Sequence, residues 1–263
     1  LKVNKSVLDC ASEQQRGDVV PQASLVIPAA GRGRRFLKSR SGPDTDVPPL
    51  SKVVAEVAGR PVLAWTLERF ASIETLVDAV VAVSADALEE VREAFGDRLG
   101  DRCPLRFVAG GEDRMTSIAA ALDATDGTTE LVIIHDAVRP LIRPAIIEEA
   151  LRMAVEYDGA VVGRKVDYTV KSVPTGVTVS ETVPREGLWL AQTPQVFRRD
   201  IITQAFARRH EVVGTVTDDA QLVEAMGYRV AMVEGDAANF KITTYEDLRM
   251  CEALLAAGWP FEQ

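Results

Sequence analysis

The chain has 263 residues, with 30 basic against 39 acidic side chains and a formal charge of −9. That length supplies core enough for one large α/β domain or two small ones, and one is expected here. The acidic balance argues against broad nucleic-acid binding, which rests on pairing many cations with phosphates, and no apolar run approaches the ~18 residues that cross a bilayer.

Three widely separated cysteines, Cys10, Cys103 and Cys251, have neither the spacing of a zinc site nor the even count of a disulfide framework. They read as reduced thiols. With a polar N-terminus in place of a signal peptide, the chain is expected to be soluble and cytoplasmic.

Residues 1–23 mix charges with little apolar period and read as a loosely ordered N-terminal extension. A strand is expected over 24–28, followed by Pro28-Ala29-Ala30-Gly31-Arg32-Gly33-Arg34-Arg35-Phe36. Small residues there let backbone N–H groups crowd an anion, and the cations beside them make the stretch a phosphate cradle. A dinucleotide fingerprint needs a small residue where Phe36 stands, and a Walker loop needs a closing Gly-Lys-Ser/Thr, so both are excluded. A plain strand-to-helix turn accounts for the glycines but not for three arginines in four positions. The Ser-, Gly-, Pro- and Asp-rich stretch 38–50 is a polar loop, open to being a lid over a triphosphate or an insertion, and Lys52 closes it.

A helix is expected to follow Gly59-Arg60-Pro61 and run through Phe70. The run 77–83 is read as apolar throughout and suits a buried parallel strand, with 88–99 as its crossover helix and 105–108 as the next strand. Ala109-Gly110-Gly111-Glu112-Asp113-Arg114-Met115-Thr116-Ser117 turns on two glycines into a helix over 118–122, its polar residues serving at least as caps. The most apolar strand, 131–134, ends in His135-Asp136-Ala137-Val138-Arg139-Pro140. Ligands of open α/β sheets sit at such carboxyl ends, which makes Asp136 the candidate for a cation that bridges phosphates, while His135 reads as structural.

After a helix over 144–157, the β-rich pieces 160–164, 168–173 and 177–183 are separated by turn residues. They predict a hairpin arm at about 164–188, and an arm with little core of its own is expected to pack on a second subunit. The chain then returns through 189–197 to a helix over 199–209. Thr217-Asp218-Asp219-Ala220 is expected to cap a helix that stops at Gly227, followed by a strand over 228–233 and a final helix reaching about 257. Residues 258–263 are left as a tail, so the expected organisation is one domain over 24–257.

These blocks in this order resemble the 2-C-methyl-D-erythritol 4-phosphate cytidylyltransferase family of the non-mevalonate isoprenoid pathway. The likeness rests on Ala-Ala-Gly-x-Gly-x-Arg, Arg114 to Ser117, His-Asp-Ala-x-Arg-Pro, Thr-Pro-Gln, Thr-Asp-Asp-Ala and Asn-Phe-Lys-Ile-Thr together. It implies a Rossmann-like, mostly parallel sheet of the nucleotide-diphospho-sugar transferase type, a β-arm exchanged in a homodimer, and CTP with magnesium or another divalent cation. It further implies that CTP and the methylerythritol phosphate give a cytidylyl product and pyrophosphate. Carried over by position, Arg35, Lys52, Arg185 and Lys241 serve the transfer. Pro28, Ala29, Ala30, Gly31, Gly33, Gly111, Glu112 and Ser117 hold the nucleotide, and Asp136 the metal. Arg139, Thr169, Arg185, Thr193 and Thr217 hold the acceptor, Thr169 and Arg185 from the neighbouring subunit.

The chain departs from the family in two places. A longer Pro-rich insertion precedes Leu50-Ser51-Lys52-Val53 where the family has Pro-Lys-Gln, which leaves Lys38 as a rival to Lys52. The arm reads Val166-Asp167-Tyr168-Thr169 where an arginine, aspartate and threonine are usual. Ribitol 5-phosphate is the alternative acceptor, and a nucleotide-binding homologue without catalysis is a third reading.

Overall fold

The structure is a computed structural model and describes residues 21–31, 33, 36, 39, 55–99 and 103–259. The strands and helices in chain order are β1 (Ala23–Pro28), β2 (Glu56–Val57), β3 (Arg60–Pro61), α1 (Val62–Ala71), β4 (Leu76–Val83), α2 (Leu88–Phe95), β5 (Arg98–Leu99), β6 (Cys103–Ala109) and α3 (Arg114–Asp123). There follow β7 (Leu131–Ile134), α4 (Pro144–Glu156), β8 (Gly159–Lys165), β9 (Val170–Ser172), β10 (Glu181–Val183), β11 (Trp189–Arg198), α5 (Arg199–Ala207), α6 (Ala220–Glu224), β12 (Val230–Glu234) and α7 (Tyr245–Ala256).

Eight strands form one sheet in the order β12-β8-β11-β7-β1-β4-β6-β5. The pairs β12–β8, β7–β1, β1–β4 and β4–β6 are parallel, and β11 runs antiparallel to both its neighbours. The expected α/β fold with a mostly parallel, Rossmann-like sheet is therefore what the chain adopts. The parallel strands are covered on both faces and so read as apolar runs. In β1, Leu25 and Ile27 face one core, which α1, α4 and α7 cover; Val26 faces the other, which α3, α5 and α6 cover. Each such side chain, removed wholly from water, contributes about 1.5–3 kcal/mol relative to exposure.

Several boundaries differ from the sequence expectation for identifiable reasons. Strand β4 is not apolar throughout: Asp78 is buried in it, held by Arg106 Nη2 at 2.6 Å, the Ser24 hydroxyl at 3.2 Å and the Asp126 N–H at 2.6 Å. The helix expected over 88–99 stops at Phe95, because Gly96 takes φ 69° and sends residues 98–99 into β5. The helix expected to 209 ends at Ala207 and continues as a single 3₁₀ turn over Arg209–Glu211. Ala23, placed in the N-terminal extension, is a buried residue of β1; residues 1–20 lie outside the described residues. Trp259, placed in the tail, packs on the core and donates its indole N–H to Leu141 O at 3.1 Å.

The hairpin is shorter than the pieces read from the sequence. β9 and β10 pair antiparallel as a separate two-stranded sheet between β8 and β11. Around it Tyr168, Val177 and Leu190 are exposed by 80%, 95% and 56%.

Candidate active site

At the carboxyl ends of β1, β6 and β7 the chain encloses a cleft of about 160 Å³, lined by Pro28 to Gly31, Gly111 to Arg114, Ser117, Asp136 to Val138 and Lys241. Seven of the eight residues assigned to the nucleotide line this one cleft: Pro28, Ala29, Ala30, Gly31, Gly111, Glu112 and Ser117. Gly33, within the cradle, takes φ 58°, a left-handed conformation that favours glycine. Arg35, Lys38 and Lys52, and all of 38–50 except Ser39, lie outside the described residues.

Two short hydrogen bonds seat the glycine loops on the sheet: Ala29 N–H donates to Ala82 O at 2.6 Å and Gly110 N–H to Val83 O at 2.7 Å. Asp113 then caps α3, accepting from Thr116 N–H at 2.7 Å in a capping box. Ser117 closes the turn from inside. Its hydroxyl donates to Asp113 O at 2.7 Å and accepts the Gly111 N–H at 3.2 Å. Glu112 is left exposed on the cleft wall, free to face a ligand.

Asp136 stands at the end of β7 with three cations around it. Its Oδ2 accepts Lys241 Nζ at 3.0 Å and Arg139 Nε at 3.1 Å, and its Oδ1 faces Arg114 Nε at 3.4 Å. Burial acts to raise the pKa of this carboxyl, but Lys241, Arg114 and Arg139 outweigh it and hold the group well below the ordinary carboxylate range. Arg139 also donates to Asn239 O at 2.8 Å, so the acceptor-binding role carried over to it would share the guanidinium with this internal anchorage.

Arg114 is the first residue of α3 and forms a two-pronged pair with Asp219, Nη1 to Oδ1 and Nη2 to Oδ2, both 2.8 Å. Burial acts to lower the Arg114 pKa, and the Asp219 and Asp136 carboxylates overcome it and raise the value. Burial pushes the Asp219 carboxyl up, and Arg114 opposes it. The capping expected of Thr217 to Ala220 comes from Asp218, whose Oδ1 accepts the Gln221 N–H at 3.2 Å. Asp219, at the N-cap of α6, makes no side-chain cap bond, and Gln195 Oε1 on β11 accepts the Asp219 and Ala220 N–H groups at 3.1 and 3.0 Å.

The other acceptor candidates are dispersed. Thr193 is buried beneath Asp136 and accepts its N–H at 3.0 Å. Thr217 is exposed, its N–H bonded to Gln221 Oε1 at 2.9 Å. Thr169 and Arg185 sit exposed at the base of the hairpin, away from the cleft lining, with Arg185 donating to Asp167 O. Sequence reasoning passed over Arg114, Asp219, Gln195, Gln192 and Asn239 as functional residues. The blocks Thr-Asp-Asp-Ala and Thr-Pro-Gln contained two of them, Asp219 and Gln195, but the pairing of Arg114 with Asp219 leaves no mark in local pattern.

Among the described residues no group of three or more His, Cys, Asp or Glu side chains is placed to hold a metal ion. A self-sufficient metal site is thus not what the cleft offers. One carboxylate beside a space that admits phosphates does fit magnesium, which keeps most of its water and shares its few protein ligands with substrate oxygens. No helix among the described residues is long and apolar enough to cross a membrane.

The family model described as 2-C-methyl-D-erythritol 4-phosphate cytidylyltransferase matches residues 23–257. The protein of that name from Caldanaerobacter subterraneus subsp. tengcongensis is 38% identical over 232 residues, 88% of this chain and 98% of its own. That from Geobacter metallireducens is 40% identical over 243 residues, 89% of this chain and 98% of its own. The crystal structure of the cytidylyltransferase from Thermus thermophilus matches with a TM-score of 0.68 at 33% identity, over 89% of this chain and 99% of that one. The 4-diphosphocytidyl-2C-methyl-D-erythritol synthase of Anaerococcus prevotii matches at 0.75 and 27% identity, over 90% and 100%.

Proposed function

Because the chain belongs to the 2-C-methyl-D-erythritol 4-phosphate cytidylyltransferase family, we propose that its cleft performs a metal-assisted, in-line transfer of the cytidylyl group from CTP. The chain is a nucleotidyltransferase joining CTP to 2-C-methyl-D-erythritol 4-phosphate. A phosphate oxygen of the acceptor bonds to the α-phosphorus of CTP, and the bond from that phosphorus to the bridging oxygen of pyrophosphate breaks.

The observation that carries the mechanism is the convergence of Asp136, Lys241 and the Gly111–Ser117 loop on the cleft that Pro28 to Gly31 line. Two polyanions must meet there, so the site needs charge neutralisation and alignment more than a nucleophile of its own. Lys241 is about one-third exposed, at 34%, whereas Arg139 is only 11% exposed and Arg114 is fixed by Asp219. Of the three cations Lys241 is the one able to turn to the phosphates, which leaves Asp136 Oδ2 with Arg139 Nε alone. Magnesium bound there would neutralise phosphate charge and hold the triphosphate oxygens in place. By resemblance Arg35 and Lys52 serve the transfer, and Glu112 and Ser117 the nucleoside.

The acceptor lies by the same resemblance among Arg139, Thr193 and Thr217, with Thr169 and Arg185 reaching in from a second subunit. The exposed apolar residues flanking β9 and β10 support a homodimer through the arm. The acidic, reduced-thiol composition supports a cytoplasmic enzyme. The test is pyrophosphate release on mixing the protein with CTP, magnesium and methylerythritol phosphate, ribitol 5-phosphate being the control acceptor. Release with neither acceptor, or with ribitol 5-phosphate preferred, would overturn this reading.

A further inference from the structure

Four segments that are far apart in sequence are tied into a closed ring of polar contacts beneath the cleft. Arg114, at the end of the nucleotide loop, grips Asp219 with two 2.8 Å bonds and faces Asp136 Oδ1 at 3.4 Å. Asp136 N–H donates to Thr193 Oγ1 at 3.0 Å on β11. Two residues along the same strand, Gln195 holds the Asp219 and Ala220 N–H groups through Oε1, and through Nε2 it donates to Asp218 Oδ2 at 3.1 Å. The ring thus returns to Asp219, two residues after Thr217.

The Asp219 side chain is fully buried and Arg114 is the cation bonded to it, while the Arg114 side chain remains 29% exposed to the cleft. A buried carboxylate deprived of its cation is strongly unfavourable, so the 217–219 loop keeps this position only while Arg114 stays in register. Any anion entering the cleft acts on Arg114 directly, since Arg114 lines it. We propose that Arg114, with Asp219 as its anchor, is a positioning residue that couples nucleotide binding to acceptor binding through the Thr217–Asp219 loop. The proposal rests on the reading above that the cleft takes CTP and that Thr217 faces the acceptor.

A purely structural pair would lower stability and weaken both ligands together; a coupling pair leaves each ligand's own site in place and removes their mutual effect. Calorimetric titration of methylerythritol phosphate, with magnesium and with or without α,β-methylene-CTP, measures that effect on the full chain. In the wild type the nucleotide analogue should tighten acceptor binding at least fivefold, within the usual range for coupled sites. In Arg114→Gln the factor should fall below twofold; in Asp219→Asn, which leaves every cleft-lining side chain in place, affinity for the analogue alone should stay within about threefold, a change smaller than the loss of a charge-assisted contact. Asp219→Asn keeps the side-chain volume and removes the buried charge; it should lose the coupling equally and serves where Arg114→Gln fails to fold. A wild type without coupling, or an Asp219→Asn protein that keeps it, overturns the proposal. Failure of the wild type to release pyrophosphate would instead overturn the functional reading, so the two failures are distinguishable.

Discussion

Thr193 donates its hydroxyl hydrogen to His135 Nδ1, 3.1 Å away, and the direction of that bond follows from the other side of the ring. His135 Nε2 lies 3.2 Å from Arg139 O, a carbonyl that can only accept, so the ring proton sits on Nε2. Nδ1 is then an acceptor, and the Thr193 oxygen is free to receive the Asp136 N–H at 3.0 Å. With its one hydrogen given to His135, the Thr193 hydroxyl can meet an acceptor phosphate only after rearrangement. Its position instead supports the backbone that carries Asp136.

This wiring makes stability depend on pH. Burial lowers the His135 pKa from 6.5 to about 4, so between those values the unfolded chain binds a proton that the native protein does not. More protons on the unfolded chain mean that stability is complete above pH 6.5 and is lost as pH falls through the window, by about 1.4 kcal/mol per unit and about 3 kcal/mol in all. Urea denaturation in metal-free buffer should show that slope between pH 6.5 and 4.5 in the wild type and a flatter one in His135→Gln. Parallel slopes in the two proteins would remove His135 as the cause.

What the sequence made legible was local. The run over 131–134 is apolar on both faces and became β7 at those bounds; the glycine turns and Asp136 followed from strand ends, and all met at one cleft. Asp78 was lost in an apolar run because its compensation comes from Arg106, 28 positions away, and Ser24, 54 away. Arg114 and Asp219 are separated by 105 positions, and Arg199 reaches Ser24 across 175. Such pairs have no periodicity; only the sheet order, which places β11 between β8 and β7, brings them together. The end of α2 was readable in principle from Gly96, but an apolar Leu99 beyond it fits a helix as well as a strand.

The two glycine loops are packed against one another, and a methyl group at one position should separate them. A Cβ on Gly110 would lie 2.6 Å from Ala30 Cβ and 2.9 Å from Ser117 Oγ, both residues of the cleft wall with no flexible end to yield. Gly110→Ala should lower stability by about 1–3 kcal/mol, the range for overpacking a filled site, and weaken nucleotide binding as the cradle shifts. A Cβ on Gly31 meets no atom within 4 Å among the described residues, so Gly31→Ala should change stability by no more than about 0.5 kcal/mol. Thermal melts of the two variants with and without CTP check both expectations; equal stability would show that the loops do not set each other's position.

The insertion between cradle and Lys52 poses a question that kinetics answers directly. If Lys52 stabilises the charge developing at the α-phosphorus, Lys52→Ala should raise the barrier by about 3–4 kcal/mol, the effect of removing one preorganised donor. Turnover then falls 10²- to 10³-fold with the KM for CTP little changed. Lys38→Ala should keep turnover within a fewfold of the wild type. Steady-state rates at saturating acceptor distinguish the two, and a normal rate in Lys52→Ala assigns the role elsewhere.

Arg185 and Thr169 belong to the hairpin, exposed and apart from the cleft of their own chain, while Asp136 lies within it. If the arm completes the site of a second subunit, an Arg185→Ala chain still offers a sound cleft and an Asp136→Asn chain still offers a sound arm. Each variant alone is expected to be nearly inactive. Mixed and re-equilibrated in equal amounts, half the dimers combine one chain of each kind, and one of the two sites in each such dimer pairs an intact Asp136 with an intact Arg185. Activity should therefore return to about a quarter of the wild-type level, as the statistics of a two-fold dimer require. Recovery depends on the arm acting in trans: an Arg185 that served its own cleft would leave every site in the mixture with one defect, and activity would stay at the level of the separate variants.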